Sequence, residues 1–284
     1  MMSLRPKPIL SKKFYHERDS QIKFYQRGHK YEITTDPNSK YTSVTTWNHK
    51  HFPKFDADAV IANIMKGKNW NQSNKYWGMT PEQIKSSWKT NGDNVSTAGT
   101  NLHERIEHFM NNDDFYFDYT NQQLYDWYKT EHKDNPDEAI EWKYFINFVK
   151  DHPELKPYRT EWMIFHEQLK LAGSIDMVYE NPDGSISIYD WKRSKEITKI
   201  NNWDKFAINP LICHLPDSNF WHYALQLNTY KAILEQKYGK KVTKLCLVRL
   251  HPESEEQNYE LLDVPILTKE IDDLFEERKK EVSV

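Results

Sequence analysis

The sequence predicts a mixed α/β (α+β) fold in which a central sheet is flanked by helices. Helical periodicity dominates residues 55–150, three short β-rich segments follow within residues 159–192, and helix, strand, strand and helix then complete the pattern. The 284 residues are 38% hydrophobic and 14% aromatic, a balance typical of a globular chain with a substantial core. We therefore expect one elaborated domain.

Turn and capping signals define the expected elements of the N-terminal part. Residues 22–34 predict a β-hairpin with Arg27 and Gly28 at its bend, whereas residues 35–54 contain turn signals and are expected to be irregular. A short helix is predicted from Phe55. The helical patterns that follow are a start at Thr80-Pro81 and the segments 99–112, 121–130 and 137–150.

The second half of the chain alternates between strand and helix signals. The predicted elements are strands over 159–167, 169–180 and 185–192, a helix over 217–238, strands over 242–250 and 258–264, and a charged helix over 268–281. The sequence Pro182-Asp183-Gly184 predicts a tight turn between the second and third strands, and Gly239 is expected to end the first of these helices.

Charge is unevenly distributed, although the formal net charge is only −3. Residues 1–54 hold eleven Lys and Arg against four Asp and Glu, whereas residues 251–284 hold four against eleven. Either both ends are ordinary solvated surfaces, or the basic end forms a phosphate-binding face and the acidic end is turned away from it.

Several classes of protein are not expected. No apolar run reaches the ~18 residues that a membrane helix needs, and the N-terminus has no secretory apolar core. Cys213 and Cys246 are too few for a disulfide scaffold, a four-thiolate zinc site or an iron–sulfur cluster. We expect an intracellular, reducing location, cytoplasmic or nucleoid-associated. An organelle transit peptide is compatible with the basic residues Arg5, Lys7, Lys12, Lys13 and Arg18.

The hairpin predicted at residues 169–192 brings acidic and basic side chains together. With Asp183 at the centre of the turn, Asp176 lies opposite Asp190 and Ser174 lies opposite Lys192. Directly opposed residues are ~5 Å apart at Cβ, and alternate residues of a strand share a face, so two carboxylates and one ammonium occupy one patch.

Two opposed carboxylates in a central sheet repel each other and lose hydration, so a cation between them is expected. Lys192 alone would make the patch a buried ion-pair network. A divalent metal such as Mg²⁺ or Mn²⁺, which prefers oxygen ligands, is the second explanation. The hairpin by itself leaves both open.

Two helical segments add polar pairs at helical spacing. His103 and Glu107 lie four residues apart, as do Gln226 and Tyr230, so the members of each pair share a helix face. Each pair alone is typical of an ordinary helix surface. The zinc-protease pattern is excluded because the second histidine, His108, lies five residues after His103 and faces elsewhere.

Four short motifs occur in order: GTxxHxxIE at 99–107, GSID at 173–176, DWK at 190–192 and QLxxY at 226–230. In this order and spacing the chain resembles the PD-(D/E)XK nucleases of the RecB exonuclease type. Residues 41–46 add a likeness to the mitochondrial genome maintenance exonuclease branch. The resemblance implies a restriction-endonuclease-like core and metal-dependent hydrolysis of DNA. It disfavours the relatives that carry a four-cysteine iron–sulfur cluster.

The resemblance also implies roles for the motif residues. The implied ligands for one or two Mg²⁺ or Mn²⁺ ions are His103, Asp176, Asp190 and the backbone carbonyl of Trp191. Lys192 would orient the attacking water and stabilise charge on the phosphate. Further groups that would assist catalysis or position the substrate are Glu107, Gln226, Tyr230 and Glu161. Residues 99–264 would form the nuclease core of a single domain, with an N-terminal arch-like elaboration (1–98) and a C-terminal acidic helix (265–284).

Residues 66–92 alternate aromatic rings with lysines. Either they pack as an ordinary helical subdomain, or the rings stack on bases and the lysines contact the phosphates of single-stranded DNA. The candidate contacts are Trp70, Trp77, Trp88, Lys68, Lys75 and Lys85 in this stretch, and Arg193, Ser194 and Lys195 after the hairpin. Single strands, DNA ends or flaps are the expected substrates, in replication, repair or recombination, with single-strand-binding or recombination proteins as partners.

Other functions fit the same motifs. A lambda-type exonuclease would degrade duplex DNA with an annealing partner, and a toroidal trimer would favour it. A nuclease-derived DNA-binding module would lack catalysis, which a metal-dependent cleavage assay decides. An unrelated ion-pair core would not explain four motifs in order.

Overall fold

The computed structural model describes residues 9–112, 119–131 and 138–283. The helices are α1 (Ile9–Lys13), α2 (Val44–His49), α3 (Ala57–Lys66), α4 (Pro81–Met110), α5 (Asn121–Glu131), α6 (Ile140–Asp151), α7 (Asn219–Lys237) and α8 (Thr268–Val282). The strands are β1 (Ile22–Tyr25), β2 (Lys30–Ile33), β3 (Thr42–Ser43), β4 (Lys156–His166), β5 (Leu171–Glu180), β6 (Ile186–Lys192), β7 (Val242–Arg249) and β8 (Glu260–Asp263).

Strand β5 is the centre of a six-stranded mixed sheet. It pairs antiparallel with β4 and β6, and its first residues also pair parallel with β3. Strand β7 adds parallel to β6, and β8 adds antiparallel to β7. Because β6 and β7 are parallel, the chain between them crosses over through α7. This mixed sheet with flanking helices confirms the predicted fold class.

Helices cover both faces of the sheet. On one face, α7 and α8 enclose a core that contains Trp162, Leu227 and Phe275, and on the other face α4, α5 and α6 enclose one that contains Phe145 and Trp191. The antiparallel β1–β2 hairpin forms a third, smaller cluster. Within the described ranges, no helix is long and apolar enough to cross a membrane.

The N-terminal hairpin is confirmed, with Gly28 at φ 86° in the turn, but the expectation for residues 35–54 is wrong. This segment contains β3 and α2, and Trp47 of α2 is buried in the core beside α7. The side chain of Ser43 caps α2 by accepting a hydrogen bond from the Thr46 backbone N–H. A two-residue strand exists only through its partner β5, so local sequence patterns could not indicate it.

The predicted helix start at Thr80 and the predicted helix over 99–112 belong to one helix, α4. Thr80 and Gln83 form a capping box, and the helix continues through Gly92 and Gly99. Every residue from 89 to 97 is exposed, so α4 projects from its packed neighbours over about 13 Å. Glycine interruptions do not break α4, because the two residues are isolated and each costs only ~1 kcal/mol.

Gly173 of β5 permits a close approach by α7. A Cβ atom at this position would lie 2.6 Å from Cε1 of Tyr230, well inside contact distance. The glycine of the GSID motif is therefore required by packing, because no other residue leaves room for the tyrosine ring.

We expect Gly173→Ala to lower the free energy of unfolding by about 1–3 kcal/mol, because the added methyl group overpacks the α7–β5 contact. Urea unfolding measures the change. The matched control is Gly92→Ala in α4, where nothing lies within 4 Å of the new Cβ and a gain of roughly 0.5–1 kcal/mol is expected. If both substitutions change the free energy of unfolding by the same small amount, the close contact between Gly173 and Tyr230 is contradicted.

Candidate active site

Three carboxylates lie at the same level on three adjacent strands. The backbone pairs of β5 with β6 run from Glu180–Ile186 to Met177–Tyr189, which confirms the predicted register and places Asp176 level with Asp190. On the other side of β5, Glu161 lies level with Asp176, because its neighbours in β4 pair with the neighbours of Asp176. The structure therefore adds a third carboxylate to the predicted pair.

The backbone is irregular where these carboxylates meet. Glu161 has φ 43°, a left-handed conformation that costs a non-glycine residue roughly 1–2 kcal/mol. In β5, Ile175 belongs to the core beneath α7 whereas Met177 belongs to the core beneath α6, so the strand changes face at Asp176. Irregular backbone of this kind is concentrated at functional sites and re-aims side chains there.

Asp176 lies in the fork where β5 and β6 stop pairing. Its Oδ2 accepts a hydrogen bond of 3.0 Å from the backbone N–H of Trp191, in place of a strand-to-strand bond. The carboxylate is thereby fixed beside the end of β6.

His103 reaches the same fork from α4. Leu102 and Ile106 are buried and hold this end of the helix against the core, so His103 faces the sheet. Its Nε2 lies 2.9 Å from the carbonyl oxygen of Trp191, and its Nδ1 lies 3.5 Å from Oδ2 of Asp176. Since a carbonyl can only accept, Nε2 carries the proton in this contact.

Potential metal-ligand atoms of His103, Glu161 and Asp176 all lie within 4.8 Å of one another. One imidazole and two carboxylates suit a divalent cation. The carbonyl of Trp191 borders this group through its contact with His103. The structure thus places His103, an expected metal ligand, beside Asp176. Glu161, which the sequence analysis assigns to the substrate, instead lies within the candidate ligand group.

Asp190 and Lys192 form an ion pair beside this group. Lys192 Nζ lies 2.6 Å from Oδ2 of Asp190, whose side chain is only 2% exposed. The same ammonium lies 4.4 Å from the ring centroid of Tyr223, so a cation–π contact supports it from α7. The predicted ion pair is therefore present at Asp190, whereas Asp176 belongs to the candidate metal-ligand group beside it.

The pKa shifts reflect an excess of negative charge. Partial burial and the carboxylate of Asp176 raise the pKa of Glu161 to about 8. Burial raises the pKa of Asp190 to about 6, although Lys192 opposes the shift. Burial would lower the pKa of Lys192, but the carboxylates of Asp190 and Asp176 outweigh it and raise the pKa, so the ammonium stays charged. Glu107 adds to the negative charge that Glu161 experiences.

Helix α7 presents a polar stripe to the site. Tyr223, Gln226 and Tyr230 are spaced three and four residues apart, so they lie on one face. Gln226 Nε2 donates a hydrogen bond of 3.1 Å to the Tyr230 hydroxyl. Tyr230 is buried, and burial raises the pKa of its hydroxyl, so it stays protonated. The Tyr230 hydroxyl therefore holds Gln226 by a hydrogen bond, and the Tyr230 ring packs on Gly173.

The residues that follow β6 are engaged within the protein. Arg193 Nε donates to a carboxylate oxygen of Glu141 at 2.9 Å in a partly buried pair. Ser194 donates to a backbone carbonyl, and Lys195 forms an exposed pair with Glu253 at 2.7 Å. Of the three expected substrate contacts, Lys195 is the most accessible.

Residues 55–88, which we name the distal module, pack around Ile61 and Ile84 at the far end of α4. Trp70 and Trp77 have ring centroids 5.5 Å apart, and neither ring is buried. Trp88 is half-buried and donates through Nε1 to the Tyr76 hydroxyl. Of the lysines, Lys68 and Lys75 are exposed whereas Lys85 pairs with Asp58.

The family model of the PD-(D/E)XK nuclease superfamily matches residues 88–283. The chain belongs to the PD-(D/E)XK nuclease superfamily. A search of curated proteins finds no match. A crystal structure from Eubacterium rectale, named "putative exonuclease", is similar at 11% sequence identity and a TM-score of 0.40, with 86% of this chain and 79% of that chain covered. The family assignment rests on the sequence match, which includes all four motifs.

Nucleases of this superfamily use divalent metals and act on nucleic acid. The site fits that chemistry, because the described side chains supply the oxygen and nitrogen donors that such an ion takes. Glu161 forms no ion pair within the described ranges; it accepts a hydrogen bond of 2.9 Å from Ser174. A cation bound beside it would therefore stabilise its ionised form.

Sequence patterns do not assign two residues that contact the candidate site, Ser174 and Tyr223. Ser174 lies opposite Lys192 in the predicted hairpin, but its hydrogen bond to Glu161 depends on β4. One sequence feature indicates that Tyr223 faces the site: it lies three residues before Gln226, on the same helix face. Nothing in the sequence showed that its ring would meet Lys192.

We expect the metal-free nuclease to lose stability between about pH 5 and pH 8. Folding raises the pKa of Glu161 to about 8 from its ordinary value of 4.5, so folding favours the protonated form and stability falls as pH rises through this window. Glu161→Gln should remove about 1 kcal/mol or more of that loss. Urea unfolding in EDTA at pH 5, 6.5 and 8 measures it.

The same preparations test the metal site. At pH 8, Mg²⁺ or Mn²⁺ at a hundred times its dissociation constant should stabilise the wild type by about 2.7 kcal/mol, and Glu161→Gln and His103→Ala should lose most of this gain. The control is Glu104→Gln, an exposed residue of α4. If Glu104→Gln and Glu161→Gln respond alike to pH and metal, the assignment of Glu161 is wrong.

Proposed function

We propose that this nuclease is a divalent-metal-dependent deoxyribonuclease that degrades DNA from single-stranded ends or flaps, and that it serves DNA replication, repair or recombination. The observation that carries the proposal is the convergence of His103, Glu161 and Asp176 next to the Asp190–Lys192 pair. Metal ligands and a charged lysine together supply what phosphodiester hydrolysis needs.

The residues of the site have different roles in the proposed reaction. His103, Asp176, Glu161, Asp190 and the carbonyl of Trp191 would hold one or two Mg²⁺ or Mn²⁺ ions. A divalent cation bound there supplies a bound water of lowered pKa and neutralises charge on the phosphate. Lys192, kept charged by its carboxylate neighbours, donates to the attacking water or to a phosphate oxygen. Gln226, supported by Tyr230, orients the strand beside it.

Substrate preference follows from surfaces outside the fork. The rings of Trp70 and Trp77 are accessible on the distal module, and unpaired bases can stack on such rings whereas paired bases cannot. Trp88 lies 15 residues before His103 in the same helix, or about 22 Å along its axis. At ~3.4 Å per nucleotide, the spacing along one strand of B-DNA, this distance corresponds to about six to seven nucleotides of a stacked strand.

We expect Asp190→Ala and Lys192→Ala each to reduce cleavage at least about 100-fold while DNA binding is largely kept. Asp190→Ala should bind DNA as well as or better than wild type, because a negative charge beside the phosphate is removed. End-labelled single strands, duplexes and flaps with Mg²⁺, Mn²⁺ or EDTA measure the cleavage rate and its substrate preference.

Circular dichroism must accompany this assay, because removal of one member of a buried ion pair also costs stability, about 3–5 kcal/mol. Lys269→Ala is the matched control, since this lysine pairs with Asp273 on the exposed face of α8. Loss of binding together with cleavage in well-folded variants would identify the cluster as structural. Preferred cleavage of intact duplex would instead indicate a lambda-type enzyme.

The distal module generates a separate expectation. Removing Lys68 and Lys75 together should weaken single-strand binding for all sequences and reduce the salt-dependence slope by roughly one unit per lost phosphate contact. Trp77→Ala should cost about 1–3 kcal/mol of single-strand affinity without a change in melting temperature. Fluorescence anisotropy at several salt concentrations, with strands of four to twenty nucleotides, measures both.

Lys279→Ala provides the control, because this lysine pairs with Glu276 on α8. Affinity should rise steeply with strand length beyond about six nucleotides. If the lysine and tryptophan variants match the control at every strand length, the distal module does not guide the substrate.

A further inference from the structure

Exposed apolar side chains are concentrated in the connection between β6 and α7. Five large apolar residues are exposed within twelve positions: Ile200, Trp203, Phe206, Ile208 and Leu211. Only seven other large apolar residues are exposed in the remainder of the described chain, and these are scattered. Trp203, with 83% of its surface exposed, is the most exposed of the twelve. Large apolar side chains exposed together in one short segment, rather than singly over the surface, indicate a binding site.

The backbone of this segment is fixed although its side chains project outward. The Ala207 N–H donates to the Leu215 carbonyl, and the Ile208 N–H donates to the His51 carbonyl, at 2.9 and 2.8 Å. At the tip, the Trp203 N–H donates to the side chain of Asn201 at 2.8 Å. The rings are therefore presented on a preorganised backbone, which lowers the entropy cost of binding.

The segment begins beside the catalytic lysine. Trp221 Nε1 donates a hydrogen bond of 2.9 Å to the carbonyl oxygen of Lys199, and Tyr223 contacts Lys192. Phe220, whose ring centroid lies 4.7 Å from Lys199 Nζ, and Tyr223 are three residues apart and therefore share a face of α7. A strand that leaves the fork along this face of α7 would reach the start of the segment at Lys199.

The charge of the segment suits a phosphate backbone. Lys199 lies four residues before Trp203 and Lys205 two residues after it, and the one acidic residue among residues 199–211 is Asp204. Within the described part of the chain neither lysine forms a salt bridge. Lys199 Nζ lies 4.7 Å from the ring centroid of Phe220, which holds it near the start of α7. Exposed rings together with lysines that are not paired with a carboxylate form the combination that binds single-stranded nucleic acid without sequence preference.

We infer that residues 199–211, which we name the stacking loop, form a platform for single-stranded DNA next to the active site. Trp203 and Phe206 stack on bases, and Lys199 and Lys205 contact phosphates. This inference rests on the proposed function and adds a second contact surface to it. Single-stranded DNA is favoured over a protein partner because the most exposed side chain is an aromatic ring, two lysines lie within four residues of it, and the segment begins at the helix that carries Tyr223.

The test is the binding of a fluorescein-labelled 12-nucleotide single strand of mixed sequence to the full chain in EDTA. Trp203→Ala should raise the dissociation constant roughly 5- to 150-fold, and Trp203→Phe should restore most of the affinity. Tyr25→Ala should change it less than twofold. Tyr25 is the matched control, an exposed aromatic residue in the β1–β2 hairpin. Melting temperatures show that each variant is folded.

An unchanged dissociation constant for folded Trp203→Ala would overturn the inference. So would self-association of the wild type, seen by light scattering and lost in Ile208→Ser, with DNA affinity unchanged, because the surface would then be an interface between copies. A wild type that cleaves no DNA with Mg²⁺ or Mn²⁺ would refute the proposed function, whereas cleavage combined with unchanged binding by Trp203→Ala would refute only the stacking loop.

Discussion

Glu161, Asp176 and Asp190 repel one another at one level of the sheet, and several local features of the fold offset that repulsion. Strands β5 and β6 separate there, and the Asp176 carboxylate accepts a hydrogen bond from the Trp191 backbone N–H. Lys192 neutralises Asp190, while Glu161 keeps a raised pKa. A divalent cation bound at the candidate ligand group would offset this excess of negative charge, and nucleases of this superfamily use such cations.

The surrounding packing keeps these groups in place. Helix α4 is anchored by buried residues on one side of the sheet and delivers His103, while α7 on the other side delivers Gln226 and Tyr223. The close approach of Tyr230 to Gly173 sets the distance between α7 and β5. Because both helices pack on the strands that carry the carboxylates, a small shift in either would move a functional group relative to the fork.

Two aromatic surfaces lie outside the fork and differ in how they are built. The distal module is held at the end of an exposed stretch of α4, about 22 Å along the helix from His103. The stacking loop is held to α7 by the hydrogen bond from Trp221 Nε1 to the Lys199 carbonyl, and to His51 by a backbone hydrogen bond from Ile208. Both surfaces offer exposed rings and lysines, so the single-stranded substrate that we propose would have two places to bind outside the fork.

Local signals determined much of this protein. The turn residues around Asp183 predict the register that places Asp176 level with Asp190. Helical spacing predicts that His103 and Glu107 share one helix face, and that Gln226 and Tyr230 share another. The four motifs were sufficient to indicate the PD-(D/E)XK family that the family model confirms. The tertiary structure alone decided the rest. Glu161 reaches Asp176 because β4 pairs with β5, Tyr223 meets Lys192 because α7 crosses over the sheet, and β3 exists only beside β5. These contacts join residues distant in sequence, and their energies depend on packing between elements, which no local pattern of residues encodes.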